Sequence, residues 1–346
     1  MRQTASRLRS IKLGATTTPI IFAMIGDSWT GSPLYWIRAF TEAMQAEYGD
    51  GGPGWTGFAF SSSGAIAGGA RSDVTVTKSG SWTSNYFTGG SADAGQVSTV
   101  NAGDSYTVTM AGSAGITNAV LHASSGTLRY RWNGGAWTEI AISGDALQTF
   151  ALAGVPAGGW TLDIEAVAGT VKISGIDLQK SGGGVRVHKL GKNGSNTAHW
   201  TSVPEADFVA GMTALGPHVV QVMHLTNDQL LSSQAPVSPA QHGANLTELV
   251  RRARLAAPAA DMLLVTPPAT RAQGSPQAAY ATAARAAAIA RACTHLDLQY
   301  AFGEAYADYA YGSGRALLDD TLIHPTQTFG RATIIDALIR TLTFAQ

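Results

Sequence analysis

Ser28 stands where an apolar run, Pro19 to Ile25, meets Gly26-Asp27. A serine in that place is either a turn residue leaving the core or a nucleophile held at the rim of a sheet. A nucleophilic serine needs a general base, donors for a tetrahedral oxyanion and a carboxylate to orient the base. Residues of those kinds recur beside later apolar segments. Leu190-Gly191-Lys192-Asn193-Gly194-Ser195 follows one, Leu225-Thr226-Asn227-Asp228 follows another, and Asp319-Asp320-Thr321-Leu322-Ile323-His324-Pro325 precedes the last helical pattern. Together they are the parts of an acyl-transfer site, which needs no metal and no cofactor. The eight histidines show no metal-ligand spacing such as His-x-x-x-His. Asp27 reads as structural, because an Asp in such a turn bonds its own backbone. His224 reads as a strand-end histidine packed under the sheet.

The elements that must position these groups follow from hydropathy. PIIFAMI is a continuous apolar run of strand length, as expected for a strand covered on both faces. GSPLYWIRAFTEAMQAEYG then has Ser32 as N-cap, Pro33 at the first helical position, Leu34, Ile37, Phe40 or Thr41, Met44 and Tyr48 at helical spacing, and Gly49 as a stop. This strand-turn-helix unit places Ser28 at a strand's C-terminal end. From about Gly51 to Gly184 the α/β rhythm gives way to short alternating segments rich in Gly, Ser and Thr, and Asn133-Gly134 marks a hairpin. About seven such strands suggest a β-sandwich. The rhythm resumes at VRVHKL, and four further strand and helix units close the chain. Five strands alternating with helices imply a mostly parallel, doubly wound sheet, in which ligands bind outside the carboxyl ends of the strands.

Composition narrows the function. Lys plus Arg and Asp plus Glu both total 23, so no net charge draws nucleic acid or an anionic membrane. A surface of Ser, Thr, Gln, Asn and Gly suits neutral, hydroxyl-rich ligands such as glycans. One cysteine, Cys293, excludes an internal disulfide and a multi-cysteine metal site. No run reaches the ~18 apolar residues of a membrane span. The first apolar run passes into Gly-Asp-Ser without a small-residue cleavage site, so it reads as a strand and not a signal peptide. Action outside a cell, as a virion-associated or otherwise exported protein, would then need another delivery route.

The blocks GDS, the turn glycine, Asn-Asp and the late His-Pro, in that order, resemble the SGNH/GDSL hydrolase superfamily over roughly residues 15–55 and 184–346. The resemblance implies a flavodoxin-like three-layer α/β/α core with a five-stranded parallel sheet, and hydrolysis of esters, often acetyl esters on carbohydrates. It implies Ser28 as nucleophile and His324 as general base. The Ser28 N–H, the Gly194 N–H and the Asn227 side-chain amide would form the oxyanion hole. The family's aspartate three residues before the histidine is Thr321 here. Either the loop bulges so that Asp320 orients His324, or another acceptor does. Thr226 replaces the glycine often found before Asn-Asp. Tyr48-Gly49-Asp50-Gly51-Gly52-Pro53-Gly54-Trp55, followed by β-rich sequence, resembles the peptidoglycan O-acetylesterase branch, with a carbohydrate-binding-like β domain inserted at 56–183. Trp29, Trp55, His199 and Trp200 flank the blocks and are expected to wall a sugar site. Trp132 and Trp137, either side of the hairpin turn, are expected to lie across from each other as a glycan-contacting face or half of the sandwich core. The expected partner is an acylated polysaccharide. A glycan-binding or virion structural protein on a decayed hydrolase scaffold, and an acyltransferase, are the alternative readings.

Overall fold

The structure, a computed structural model, describes residues 1–59, 69–112, 115–229, 236–270, 277–303 and 305–343. It opens with a helix that the hydropathy pattern does not signal, α1 (Arg2–Lys12). Only Thr4, Ala5 and Leu8 of α1 are buried, too narrow a stripe to stand out among its polar residues. Thr4 anchors it by donating its N–H and hydroxyl to the Asp261 carboxylate at 2.9 and 2.6 Å. Next come β1 (Ile20–Gly26), a single-turn helix α2 (Ser28–Gly31) and α3 (Ile37–Tyr48). The expected start at Pro33 is four residues early. Ser32 closes α2 in extended conformation, so residues 32–36 connect two helices instead of beginning one. Gly49 ends α3 at φ +94°.

The antiparallel region runs β2 (Gly54–Gly57), β3 (Val74–Ser79), β4 (Thr83–Tyr86), β5 (Gly95–Thr99), β6 (Ser105–Met110), β7 (Asn118–Trp132), β8 (Thr138–Ile142), β9 (Gln148–Ala151) and β10 (Trp160–Gln179). Among the described residues these form a nine-stranded sheet. Segments that read as separate strands are joined: AVLHAS and TLRYRW are both β7, and WTLDIEAVAG and VKISGIDLQ are both β10. Gly126 (φ +87°) and Gly169 (φ +73°) look like chain breaks but lie at register shifts between these two long strands. Such bulges bend a ladder without ending it. The inward residues, Tyr106, Val108, Leu121, Leu128, Leu162 and Ile173 among them, share one core. Asn133 and Gly134, both at positive φ, turn β7 into β8. Trp132 and Trp137 do not face each other. Trp132 meets Trp160 edge to face, whereas Trp137 lies under the guanidinium groups of Arg129 and Arg131. Alternation along β7 sends 130 and 132 inward and 129 and 131 outward.

The remaining chain supplies β11 (Val185–Lys189), α4 (Thr197–Ser202), α5 (Glu205–Leu215), β12 (Val219–Met223), α6 (Thr226–Gln229), α7 (Pro239–Ala256), β13 (Asp261–Thr266), α8 (Gln277–Ala290), β14 (Thr294–Asp297), α9 (Gln299–Phe302) and α10 (Phe329–Thr343). The sequence PQAAYATAARAAAIARACTHL reads as a helix, and its first residue, 276, lies outside the described residues. The strands order as β11-β1-β12-β13-β14, parallel at every pairing. Alternate residues of each inner strand serve opposite faces. Phe22, Met24, Val219, Met223, Leu263 and Val265 pack with residues of α1, α3 and α10, and Ala23, Ile25, Val220, Val222, Met262 and Leu264 with those of α5, α7 and α8. The three-layer α/β/α fold is thus visible in the core itself, and covering both faces is why PIIFAMI reads apolar without alternation. Cys293 is half-buried, packed against the second of these cores. No helix among the described residues is long and apolar enough to cross a membrane.

Candidate active site

Ser28 begins α2 directly past the end of β1. Gly26 before it is obligatory, since a Cβ there would lie 2.4 Å from Thr30 Oγ1 and 2.8 Å from the Met223 carbonyl oxygen. Asp27 caps α2, accepting the Trp29 N–H at 2.9 Å, the backbone role expected of it. At the other end of the turn, Lys189 Nζ donates to the Gly31 carbonyl at 3.1 Å. Burial pulls that ammonium down to about 8.

Burial also pushes the Asp27 carboxyl up to about 7, against the Trp29 bond and with a contribution from nearby Asp228. A carboxyl raised on folding contributes stability that is complete below its unfolded pKa and lost as pH rises through the folded one. Asp27→Asn is therefore expected to gain in Tm relative to the wild type between about pH 5 and pH 8. Melts at both pH values check this, and a constant difference would contradict it.

The loop after β11 carries Gly191 and Gly194. A Cβ on Gly191 would sit 2.3 Å from the Gly31 N, so the loop lies against the end of α2. Gly194 adopts φ +75°, exposed, with open space beside it. Asn227, at the start of α6 after β12, donates Nδ2–H to the Ser195 carbonyl at 2.9 Å, which holds its amide against this loop. Asp228 ties the same loops from beneath by accepting the Thr197 N–H and hydroxyl. Burial pushes the Asp228 carboxyl up, but the His242 ring, with Nδ1 3.4 Å away, and the Thr197 hydroxyl outweigh it and hold the group below its ordinary range. His224 is buried in this region, and desolvation pushes it down to about 4.

The third loop brings His324 from the far end of the chain. An antiparallel bridge between Leu318 and Pro325 closes it, with the Asp319 N–H donating to the His324 carbonyl at 2.9 Å and Leu322 in left-handed conformation. His324 Nε2 lies 2.8 Å from Ser28 Oγ. Its ring stacks on Tyr35 with centroids 4.5 Å apart and planes 13° from parallel. Burial lowers the His324 pKa and the Asp319 charge opposes this. Asp320 is exposed and makes no hydrogen bond or ion pair among the described residues, so it does not orient His324. Its neighbours make the contact instead: Thr321, itself exposed, has Oγ1 3.4 Å from His324 Nδ1 and donates to Asp319 Oδ1.

The expected sugar wall is mostly core. Trp29, Trp55 and Trp200 are completely buried. Trp29 packs on Phe302, Trp55 donates its indole N–H to Asp93, and Trp200 donates to Ser195 Oγ beneath the glycine loop. An aromatic beside a site motif supports that motif's backbone as readily as it contacts a ligand. His199 is half-exposed, closing a capping box with Asn196 and stacking on Phe87 from the antiparallel region. Tyr35, Asp319 and Thr321 are the site residues that sequence reasoning missed. Tyr35 sits in a stretch read as helix, and the acidic pair gave no sign of which member turned inward. Among the described residues no cluster of His, Cys, Asp and Glu could hold a metal.

A solved peptidoglycan O-acetylesterase superimposes with a TM-score of 0.76 over 99% of this chain and 96% of its own, at 20% sequence identity, which shows a shared fold. An acetylxylan esterase from Geobacillus stearothermophilus aligns at 22% identity over 47% of this chain and 74% of its own, with a TM-score of 0.37. No curated protein matches the chain. The profile of the GDSL-like lipase/acylhydrolase family matches residues 157–331. With half the chain matched, and a parallel sheet of the SGNH type, the protein belongs to that family of carboxylic ester hydrolases.

Proposed function

We propose that the protein is a serine esterase that removes O-acyl groups, acetyl above all, from a polysaccharide. The observation that carries this reading is the 2.8 Å contact between Ser28 Oγ and His324 Nε2 at the carboxyl edge of the sheet. In the proposed reaction Ser28 Oγ attacks the ester carbonyl while its proton passes to His324 Nε2. The tetrahedral oxyanion is held by the Ser28 N–H, the Gly194 N–H and the Asn227 amide. His324 then protonates the departing sugar oxygen, which leaves as the free hydroxyl. Water, deprotonated by the same imidazole, attacks the acyl-enzyme and releases the acid as the proton returns to Ser28 Oγ. Burial favours the neutral, proton-accepting form of His324, and the Asp319 charge opposes this.

The acetylated-glycan substrate is supported by the likeness to a peptidoglycan O-acetylesterase, which runs through the antiparallel region as well as the α/β core. Such a polymer lies outside the cell, and that is where we place the activity. Acetate release from a panel of acetylated glycans, peptidoglycan and capsular polymers included, tests the substrate class. Release from at least one is expected. Cleavage of small acetyl esters with no release from any polymer would contradict the polysaccharide assignment.

A further inference from the structure

We propose that Thr321 and Asp319 together replace a directly bonded carboxylate, so that His324 is oriented through a hydroxyl bridge. The inference rests on the reading of Ser28 and His324 as nucleophile and base. A carboxylate oxygen stands one bond further from Cβ than a threonine hydroxyl does. Thr321 therefore reaches His324 Nδ1 only to 3.4 Å and brings no charge of its own. Asp319, two residues earlier, supplies the charge. Its Oδ1 accepts both the Thr321 N–H, at 3.1 Å, and the Thr321 hydroxyl.

A hydroxyl has one proton and two acceptor sites, and those of Thr321 are fully assigned. Its proton goes to Asp319 Oδ1. One acceptor site takes the Ile323 N–H at 3.3 Å. The other faces His324 Nδ1, which must then be the protonated ring nitrogen. With Nδ1 carrying the proton, Nε2 presents its lone pair to Ser28 Oγ, the tautomer a general base requires. When Nε2 takes the serine proton, the imidazolium charge is stabilised by Asp319 through the polarised hydroxyl. No proton moves along Thr321. Both residues position and polarise His324 without touching substrate. The closed turn from Leu318 to Pro325 fixes their spacing, and separations of this kind shorten in the working complex.

The titratable groups facing His324 among the described residues are Tyr35, stacked on its ring, and Asp319. Burial and Asp319 both raise the Tyr35 phenol, which stays neutral, so Asp319 alone supplies charge. A nearby negative charge raises an imidazole pKa. Removing it moves the acid limb of kcat/KM to lower pH.

The test compares the wild type with Thr321→Ser, Thr321→Val, Asp319→Asn and Ser28→Ala on a soluble acetyl ester across pH. Valine keeps the branched shape of threonine but loses the hydroxyl's bonds to Asp319 and the Ile323 N–H. Melting curves therefore accompany the kinetics, and Thr321→Ser, which restores both bonds, serves as the rescue. The hydroxyl bridge predicts a loss of about 10–100-fold in kcat for Thr321→Val with little change in KM, and near wild-type kcat for Thr321→Ser. Asp319→Asn is expected to lower kcat and shift the acid limb down by about half to one pH unit. Wild-type kcat in Thr321→Val, or an unmoved acid limb in Asp319→Asn, overturns the bridge. Turnover in Ser28→Ala would instead overturn the nucleophile reading on which it stands.

Discussion

Ser28→Ala is expected to lower kcat on a chromogenic acetyl ester by about 10⁴–10⁶-fold, and His324→Ala by a similar factor. The two groups act as one unit, because the serine hydroxyl is a weak nucleophile until Nε2, 2.8 Å away, takes its proton. Removing either partner forfeits the same step. The double variant should therefore be scarcely worse than either single one. Alanine for Ser28 breaks no bond that holds α2, since the turn is pinned by Asp27 at one end and Lys189 at the other. The loss should appear in kcat with an unchanged melting temperature. Losses that add in the double variant would mean that Ser28 and His324 serve different steps.

The second large effect is expected at Asn227. Its Nδ2 has two hydrogens, and one is committed to the Ser195 carbonyl. That bond aims the remaining hydrogen without any need to reorganise during reaction, the property that makes an oxyanion donor effective. Asn227→Ala should cost about 10²–10³-fold in kcat with KM little altered. Asn227→Asp should cost more, by setting a negative charge against the developing oxyanion. Full activity in Asn227→Ala would remove it from the oxyanion hole and leave only its bond to Ser195. Steady-state kinetics on both variants, with melting curves to confirm folding, decides the matter.

Much of this arrangement is legible in the amino-acid sequence, for a physical reason. Ser28, Gly194 and Asn227 each lie within a few residues of a buried parallel strand's end, and such strands are long enough apolar runs to locate from hydropathy alone. Parallel pairing then sends all those ends to one edge. What stays hidden depends on side-chain direction. Asp319 and Asp320 are adjacent and chemically identical, and only the Leu318–Pro325 bridge turns one toward His324 and the other to solvent. Tyr35 reaches His324 by a tertiary contact that no spacing encodes. Trp29, Trp55 and Trp200 show the converse error, in which proximity to a motif is taken for exposure within the site. In the antiparallel region the glycine signal misleads because a positive-φ glycine serves a bulge as well as a turn, and Gly126 and Gly169 serve bulges.

The central claim is that Ser28 is the nucleophile, and covalent labelling tests it most directly. The protein would be treated with a fluorophosphonate, digested and mapped by mass spectrometry. The account predicts a single phosphonylated site at Ser28, absent in Ser28→Ala and formed far more slowly in His324→Ala. A protein that turns over acetyl esters yet carries the label on another residue, or on none, would contradict it.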